Sequence, residues 1–224
     1  MAINIAVDGP AASGKSSLAK ALAQKLGYMY LGTGELYRAV GYYMVKNYPQ
    51  GYKIEDVIAS LKNINIKLQF HNETQNVILN GKAVSAFLDE DDISMAASQV
   101  SKIKEVRDFL LDLQRDLAKN NNIVMDGRDI GTVILPNAQV KFFLTASPEV
   151  RATRRYNQLK EANKKADYNE ILANIIERDK NDITRELAPL KKADDAIELD
   201  NTAYDFNTNL EHMYKLFLEK DVVK

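Results

Sequence analysis

The apolar positions of the chain fall into short runs separated by longer stretches of helical spacing. Ile3 to Val7 is one such run, and it ends on a glycine turn at Gly9. A short apolar run closed by glycine reads as a strand buried on both faces of a parallel sheet. After the turn, Leu18, Ala19, Ala21, Leu22 and Leu26 mark a helix over Ser17 to Leu26, with Gly27 at the C-cap position. Ile123 to Met125, Val140 to Leu144 and Ala196 to Leu199 read as further central strands, and Tyr28 to Leu31 as another candidate. Helical stretches lie between them, as βα alternation requires, and Leu210 to Leu218 predicts a last helix packed on the sheet. The expected fold is α/β, with a parallel sheet of about five strands flanked by helices.

Two regions break this pattern. From Asn63 to Val84 the apolar positions alternate (Ile64, Ile66, Leu68, Phe70, then Val77 to Leu79), with Asn80-Gly81 as a turn signal. Alternation with such a turn predicts a small antiparallel insert. From Pro148 to Pro189 the chain is polar, helical and rich in arginine, without apolar content for a core of its own. It reads either as a solvated helical hairpin or as a mobile lid.

Composition narrows the class. A hydrophobic fraction of 46% and a charged fraction of 27% are ordinary for a globular chain that buries a sizeable core. The formal net charge of -1 gives no reason to expect binding to nucleic acid or to a membrane surface. With no cysteine there is neither a disulfide framework nor a thiolate metal site. No stretch reads as a signal peptide or a membrane span, so a cytoplasmic location is expected, and nothing points beyond a monomer.

The strongest chemical signal is Gly9-Pro10-Ala11-Ala12-Ser13-Gly14-Lys15-Ser16, followed by Ser17. It matches the phosphate-loop pattern at every fixed position, between a strand and a helix. The glycines let the backbone curl so that N–H groups converge on phosphate oxygens, and the helix adds its positive end. Lys15 would reach the β- and γ-phosphates, and the Ser16 hydroxyl would bind Mg²⁺. The loop identifies a nucleoside triphosphate but leaves the acceptor open.

Transfer to a phosphate-bearing acceptor requires a second anion close to the first, hence arginines converging from separate stretches. Arg38, Arg107, Arg128, Arg151, Arg154, Arg155, Arg178 and Arg185 are the candidates. Arg128 lies in Met125-Asp126-Gly127-Arg128-Asp129, just past an apolar strand, where parallel sheets bind ligands. Asp126 could carry the Mg²⁺ shell or simply cap the next turn.

In order along the chain stand Asp8-Gly9-Pro10, Thr33-Gly34-Glu35-Leu36-Tyr37-Arg38, Ala97-Ser98-Gln99-Val100, Arg107 and Asp126-Gly127-Arg128-Asp129-Ile130-Gly131-Thr132. Glu177-Arg178-Asp179, Asp182, Arg185 and Ala188-Pro189-Leu190 complete the series. By these motifs the sequence resembles bacterial cytidylate kinases, a P-loop nucleoside monophosphate kinase family, nearly from end to end. The resemblance implies ATP-dependent, in-line phosphorylation of CMP or dCMP with Mg²⁺. It implies a core over 1–33, 100–146 and 187–224, a monophosphate-binding insert over 34–99 and a lid over 147–186. Arg38, Arg128 and Arg185 would grip the acceptor phosphate, near Thr33. Ser98, Arg107 and Asp129 would read the base, and Arg178 and Asp182 would contact the ribose. Arg151, Arg154 and Arg155 would close over the ATP phosphates. Lys15, Arg128, Arg151, Arg154 and Arg185 would thus serve catalysis, with Ser16 and Asp126 toward the metal. The sequence departs from the family at Gly32, where an aspartate is usual, and at Glu35, where a small residue is usual.

Cytosine offers the acceptors O2 and N3 beside its N4 donor, and Arg107 with Asp129 would complement that edge. Uracil would set O4 against the carboxylate. The alternative is that Asp129 only pairs with a neighbouring arginine. A GTPase switch is the rival class, but Asn163-Lys164-Lys165-Ala166 lacks the aspartate of a guanine-reading motif. A kinase of the shikimate or adenylate type is a second rival.

Overall fold

The structure, a computed structural model, describes residues 2–71, 74–203 and 205–220. A five-stranded sheet runs through the middle, built from β1 (Asn4–Asp8), β2 (Met29–Gly32), β6 (Ile123–Gly127), β7 (Val140–Thr145) and β8 (Ile197–Asp200) in the order β2-β6-β1-β7-β8. Every pairing is parallel. The expected five strands are all present, displaced by a residue or so at their ends. Helix α1 (Lys15–Leu26) begins two residues earlier than the apolar spacing predicted, because the phosphate-loop residues Lys15 and Ser16 already form its first turn.

One face of the sheet is covered by α1 and by α8 (Phe206–Glu219), where Ile5, Val7, Leu22, Phe142, Met213 and Phe217 pack together. On the other face Ala6, Leu31, Met125, Ile130 and Ile134 form a second core. Burial on both faces explains why the central strands read as unbroken apolar runs. Register places Asp8 beside Gly127 and Gly32 beside Asp126, so the carboxyl ends of β1, β2 and β6 finish at one level. A parallel sheet holds its ligands at that edge.

Between β2 and β6 lie α2 (Thr33–Asn47), α3 (Ile54–Ser60), α4 (Asp91–Val100), α5 (Lys104–Asn120) and a three-stranded antiparallel sheet of β3 (Ile66–His71), β4 (Thr74–Leu79) and β5 (Lys82–Ala83). Asn80 and Gly81, with φ of 49° and 82°, make the tight turn from β4 to β5. Leu36, Val40 and Met44 of α2 pack with Val77 and Leu79 of β4, Ile93 of α4, and Val106 and Leu110 of α5. The core of this region is therefore shared with α5.

After β7, α6 (Pro148–Glu161) and α7 (Tyr168–Thr184) form a hairpin closed by a Tyr156–Tyr168 edge contact. Only Arg151 and Ala152 of α6 and Ile175 and Asp182 of α7 are buried, so the hairpin has little apolar core of its own. Among the described residues no helix is long and apolar enough to cross a membrane.

Candidate active site

The phosphate loop bends tightly over β7. A Cβ on Gly9 would lie 2.2 Å from the Leu144 carbonyl oxygen, so only glycine lets the chain pass. Ala12 holds φ of 57°, a conformation that L-residues adopt at a cost and that collects at binding sites. The loop is braced from outside. Asn201 Nδ2 donates to the Ser13 carbonyl at 2.6 Å, and Arg151 donates to the Ala11 carbonyl at 3.0 Å. The buried Ser13 hydroxyl has no hydrogen-bond partner among the described residues, an orphan that an incoming phosphate oxygen would satisfy. Pro10 and Gly14, within the loop, are half-buried, and Ser17 is exposed on the first turn of α1.

Lys15 is buried, with Nζ donating to the Pro10 carbonyl at 3.2 Å. Burial first, and then the Arg128 and Arg178 charges, lower its pKa to about 7 against the pull of Asp126 and Asp182. An ammonium so placed lacks a full counter-charge, which a triphosphate would supply.

Asp126, at the end of β6, accepts from the Ser16 hydroxyl through Oδ2 at 2.7 Å and from the Tyr30 hydroxyl through Oδ1 at 2.7 Å. Its carbonyl accepts from the Thr33 hydroxyl at 2.8 Å. Because Ser16 donates its proton to Asp126, its lone pairs remain free for a cation. Among the described residues no group of acidic, histidine or cysteine side chains could hold a metal by protein alone. One hydroxyl and one carboxylate fit Mg²⁺ carried in by phosphates, which keeps few protein ligands.

Around Lys15 stands a set of guanidinium groups. Arg128 donates to Asp182 at 2.7 Å, and Arg38 pairs with the exposed Asp89 at 3.0 Å. The Arg178 side chain makes no hydrogen bond among the described residues; burial, then Arg128, Arg38 and Arg155, lower its pKa to about 10 against Asp182. Burial opposes the charge of Asp182, but Arg128, Arg178 and Arg185 outweigh it and hold its carboxyl below the ordinary range. These side chains come from α2, the turn after β6, and α7.

A second group adjoins them. Arg107 of α5 and Arg185 both pair with Asp129, Arg185 at 3.2 Å, and all three are largely buried. Arg107 also donates to the Ser101 carbonyl at 3.3 Å and lies 5.7 Å from the centre of the Tyr37 ring. Burial raises the Asp129 pKa against Arg107, Arg185 and Arg128. The turn that carries Arg128 and Asp129 is fixed by Asp8, which accepts from the Ile130 and Gly131 amides at 2.8 and 2.7 Å. Burial pushes the Asp8 carboxyl up to about 6 despite those bonds.

Four expected residues sit differently from the rest. Arg151 is buried and fully engaged, donating to the Ala146 and Ala11 carbonyls and pairing with Asp179. Arg154 grips Asn201 through its side chain and carbonyl at 3.0 and 2.8 Å. Ser98 touches the Arg107 group only through Ser101, whose hydroxyl donates to the Ser98 carbonyl. Arg155 contacts Gln158 at 2.9 Å and faces Arg178 electrostatically. The structure adds residues that the sequence did not single out for roles: Asp8, Tyr30, Gln75, Asp179 and Asn201. Asp8 and Asn201 stand at or just past strand ends, a position that could have marked them.

The departures at 32 and 35 meet on Gln75 of β4. Its amide pairs with the Gly32 backbone, N–H to Oε1 at 3.0 Å and Nε2 to carbonyl at 3.4 Å, and donates to Glu35 at 3.1 Å. Burial, countered by Arg38 and reinforced by Asp89 and Asp126, raises the Glu35 pKa to about 7.

A solved structure of an uncharacterized protein from Eubacterium ventriosum aligns over 96% of this chain and 97% of that one at 13% identity and a TM-score of 0.52, a likeness of fold. A cytidylate kinase of Caldicellulosiruptor saccharolyticus is 46% identical over 215 residues, 96% of this chain and 95% of its relative. One from Fervidobacterium nodosum is 46% identical over 224 residues, 100% of this chain and 97% of that protein. The family model described as cytidylate kinase matches residues 5–219, and by that match and these relatives the chain belongs to the cytidylate kinase family.

Proposed function

We propose that this chain transfers the γ-phosphoryl group of ATP to CMP or dCMP, with Mg²⁺ accompanying the triphosphate, and releases ADP with CDP or dCDP. The observation that carries the reading is the meeting, at one sheet edge, of a phosphate loop and guanidinium groups from separate elements beside a buried Arg107–Asp129 pair. The Arg107–Asp129 pair presents donors next to an acceptor, the complement of the cytosine edge.

In this reading the loop amides of residues 9–16 and Lys15 hold the β- and γ-phosphates of ATP. Ser16 and Asp126 hold Mg²⁺, which neutralises charge on the phosphates when bound. Arg38, Arg128 and Arg185 hold the acceptor phosphate in line with the γ-phosphorus, near Thr33, while Arg178 and Asp182 orient the ribose. An acceptor phosphate oxygen forms the new P–O bond as the bond to the β-phosphate oxygen breaks, and the electron pair leaves with ADP. No side chain has to remove a proton, since the attacking oxygen is already anionic. What the protein supplies is alignment, charge neutralisation and exclusion of water. Arg154 and Arg155 act from the lid over 147–186, and Arg151 acts by bracing the loop. The insert over 34–99 carries the acceptor to the core over 1–33, 100–146 and 187–224.

The test is ADP release from ATP with Mg²⁺ against CMP, dCMP, UMP and AMP. CMP and dCMP are expected to support turnover, and UMP to fall behind by roughly 100-fold in kcat/KM, because its O4 opposes the Asp129 carboxylate. Equal turnover with AMP would overturn the base assignment.

A further inference from the structure

The mutual placement of Tyr30, Gly32 and Asp126 has a consequence for how the triphosphate end of the site is held. Tyr30 and Gly32 lie two residues apart on β2, hence on one face of the sheet. Register sets Gly32 directly beside Asp126 on β6, and Tyr30 beside Val124. Tyr30 therefore meets Asp126 as a diagonal neighbour, a reach that suits an aromatic side chain. The space it crosses belongs to residue 32. A Cβ on Gly32 would stand 2.8 Å from the Tyr30 hydroxyl oxygen, closer than real contacts allow, and 3.5 Å from Asp126 Oδ1. The hydroxyl takes the seat that a side chain at 32 would fill.

Its effect falls on a carboxylate with two distinct oxygens. Oδ1 is held by Tyr30 and Oδ2 by Ser16, each at 2.7 Å. Tyr30 is buried, so its proton has no competing water and its bond to Asp126 sets the plane of the carboxylate. Gln75 grips the Gly32 backbone from the insert side and fixes the end of β2 on which the pairing depends.

We infer that Tyr30 is a positioning residue for the metal-bound triphosphate: seated in the space left by Gly32, its hydroxyl fixes Asp126 so that Oδ2 and the Ser16 oxygen together face the magnesium ion. This rests on the reading of Ser16 and Asp126 given above. Outer partners of this kind are typically worth at least ~10-fold in metal affinity.

The test separates metal affinity from turnover. Binding of ADP is measured by calorimetry with and without Mg²⁺, and binding of Mn²⁺ to the ADP complex by electron paramagnetic resonance. In Tyr30→Phe the gain in ADP affinity that Mg²⁺ confers is expected to shrink about tenfold and Mn²⁺ to bind about tenfold more weakly. Metal-free ADP binding and CMP binding should stay within about twofold, since neither uses Asp126. Gly32→Ala is expected to reproduce the loss, because the added Cβ evicts the hydroxyl. The double variant should be no worse than either single one, since both remove one interaction. If Gly32→Ala fails to fold, Tyr30→Phe carries the test alone. Unchanged Mn²⁺ affinity in Tyr30→Phe, or equal loss of metal-free ADP and CMP binding, would overturn the inference. Turnover with CMP is measured on the same wild-type protein. Its absence would overturn the acceptor reading alone, because the metal readouts use only ADP.

Discussion

Asp129 sits among three guanidinium groups, pairing with Arg107 and Arg185 and feeling Arg128, yet burial still raises its pKa. A carboxylate so desolvated discriminates sharply between a donor and an acceptor set against it, because an unmatched partner stays unmatched. Asp129→Asn keeps the shape, removes the charge and adds a donor that can meet O4 of uracil. The CMP to UMP ratio of kcat/KM is expected to fall by about tenfold, with a loss of roughly 3 kcal/mol in stability from two arginines left without their counter-ion. Parallel kinetics with both nucleotides and urea melts check both halves. An unchanged ratio with the same stability loss would reduce Asp129 to an ion-pair partner. The residues of this site were legible in the sequence where they stand in contiguous motifs, as Lys15, Ser16, Arg128 and Asp129 do. Tyr30 and Asn201 were not, because their partners lie 96 and 188 residues away and no local spacing records such a pairing.

Among the elements, Arg151 ties α6 to α7 through Asp179 and to the phosphate loop through Ala11, and its Nε–H reaches the Ala146 carbonyl. Each of these bonds joins one part of the protein to another, so its first contribution is to the scaffold. Arg151→Ala would leave Asp179 and the Ala11 carbonyl without their donor. A stability loss of about 3–5 kcal/mol is expected, as for a broken buried pair, together with a raised KM for ATP. Denaturant melts and ATP saturation curves measure both. A variant that melts like the wild type but loses kcat would instead place the guanidinium on the transferring group. The central strands were legible because burial on both faces writes them as continuous apolar runs, and the β3–β4 hairpin because one buried face writes alternation. Strand β5 was not, since Lys82 and Ala83 are both exposed and too short to show a period. The sharing of one core between the insert and α5 also escaped, since periodicity names a buried face but not what covers it.

For the molecule as a whole, a net charge of -1 conceals a cleft crowded with cations and three carboxyls that fold into unfavourable surroundings. Burial raises Asp8 from 3.8 to about 6, Glu35 from 4.5 to about 7, and Asp129 in the same direction. The folded protein thus binds protons that the unfolded chain has released. Where the native state holds more protons, stability falls as pH rises, so this contribution is intact near pH 4 and lost through pH 6 to 7. The carboxyls held below their ordinary range, Asp182, Asp195, Asp200 and Asp205, act in the opposite sense, but only at pH values below about 4. Lys15, lowered to about 7, begins to favour the folded state only above that pH. The window from pH 5 to 7 therefore isolates the raised carboxyls, and the wild type is expected to lose on the order of 3–4 kcal/mol across it. Glu35→Gln keeps an acceptor for Gln75 but cannot ionise, so it should show less than half that slope, match the wild type near pH 5 and exceed it at pH 7. Urea midpoints for both proteins at the two pH values decide the matter. A wild type that grows more stable between pH 5 and 7 would mean that the Glu35 carboxylate finds its counter-charge in Arg38 after all, and that the seam between insert and core is held by charge rather than strained by it.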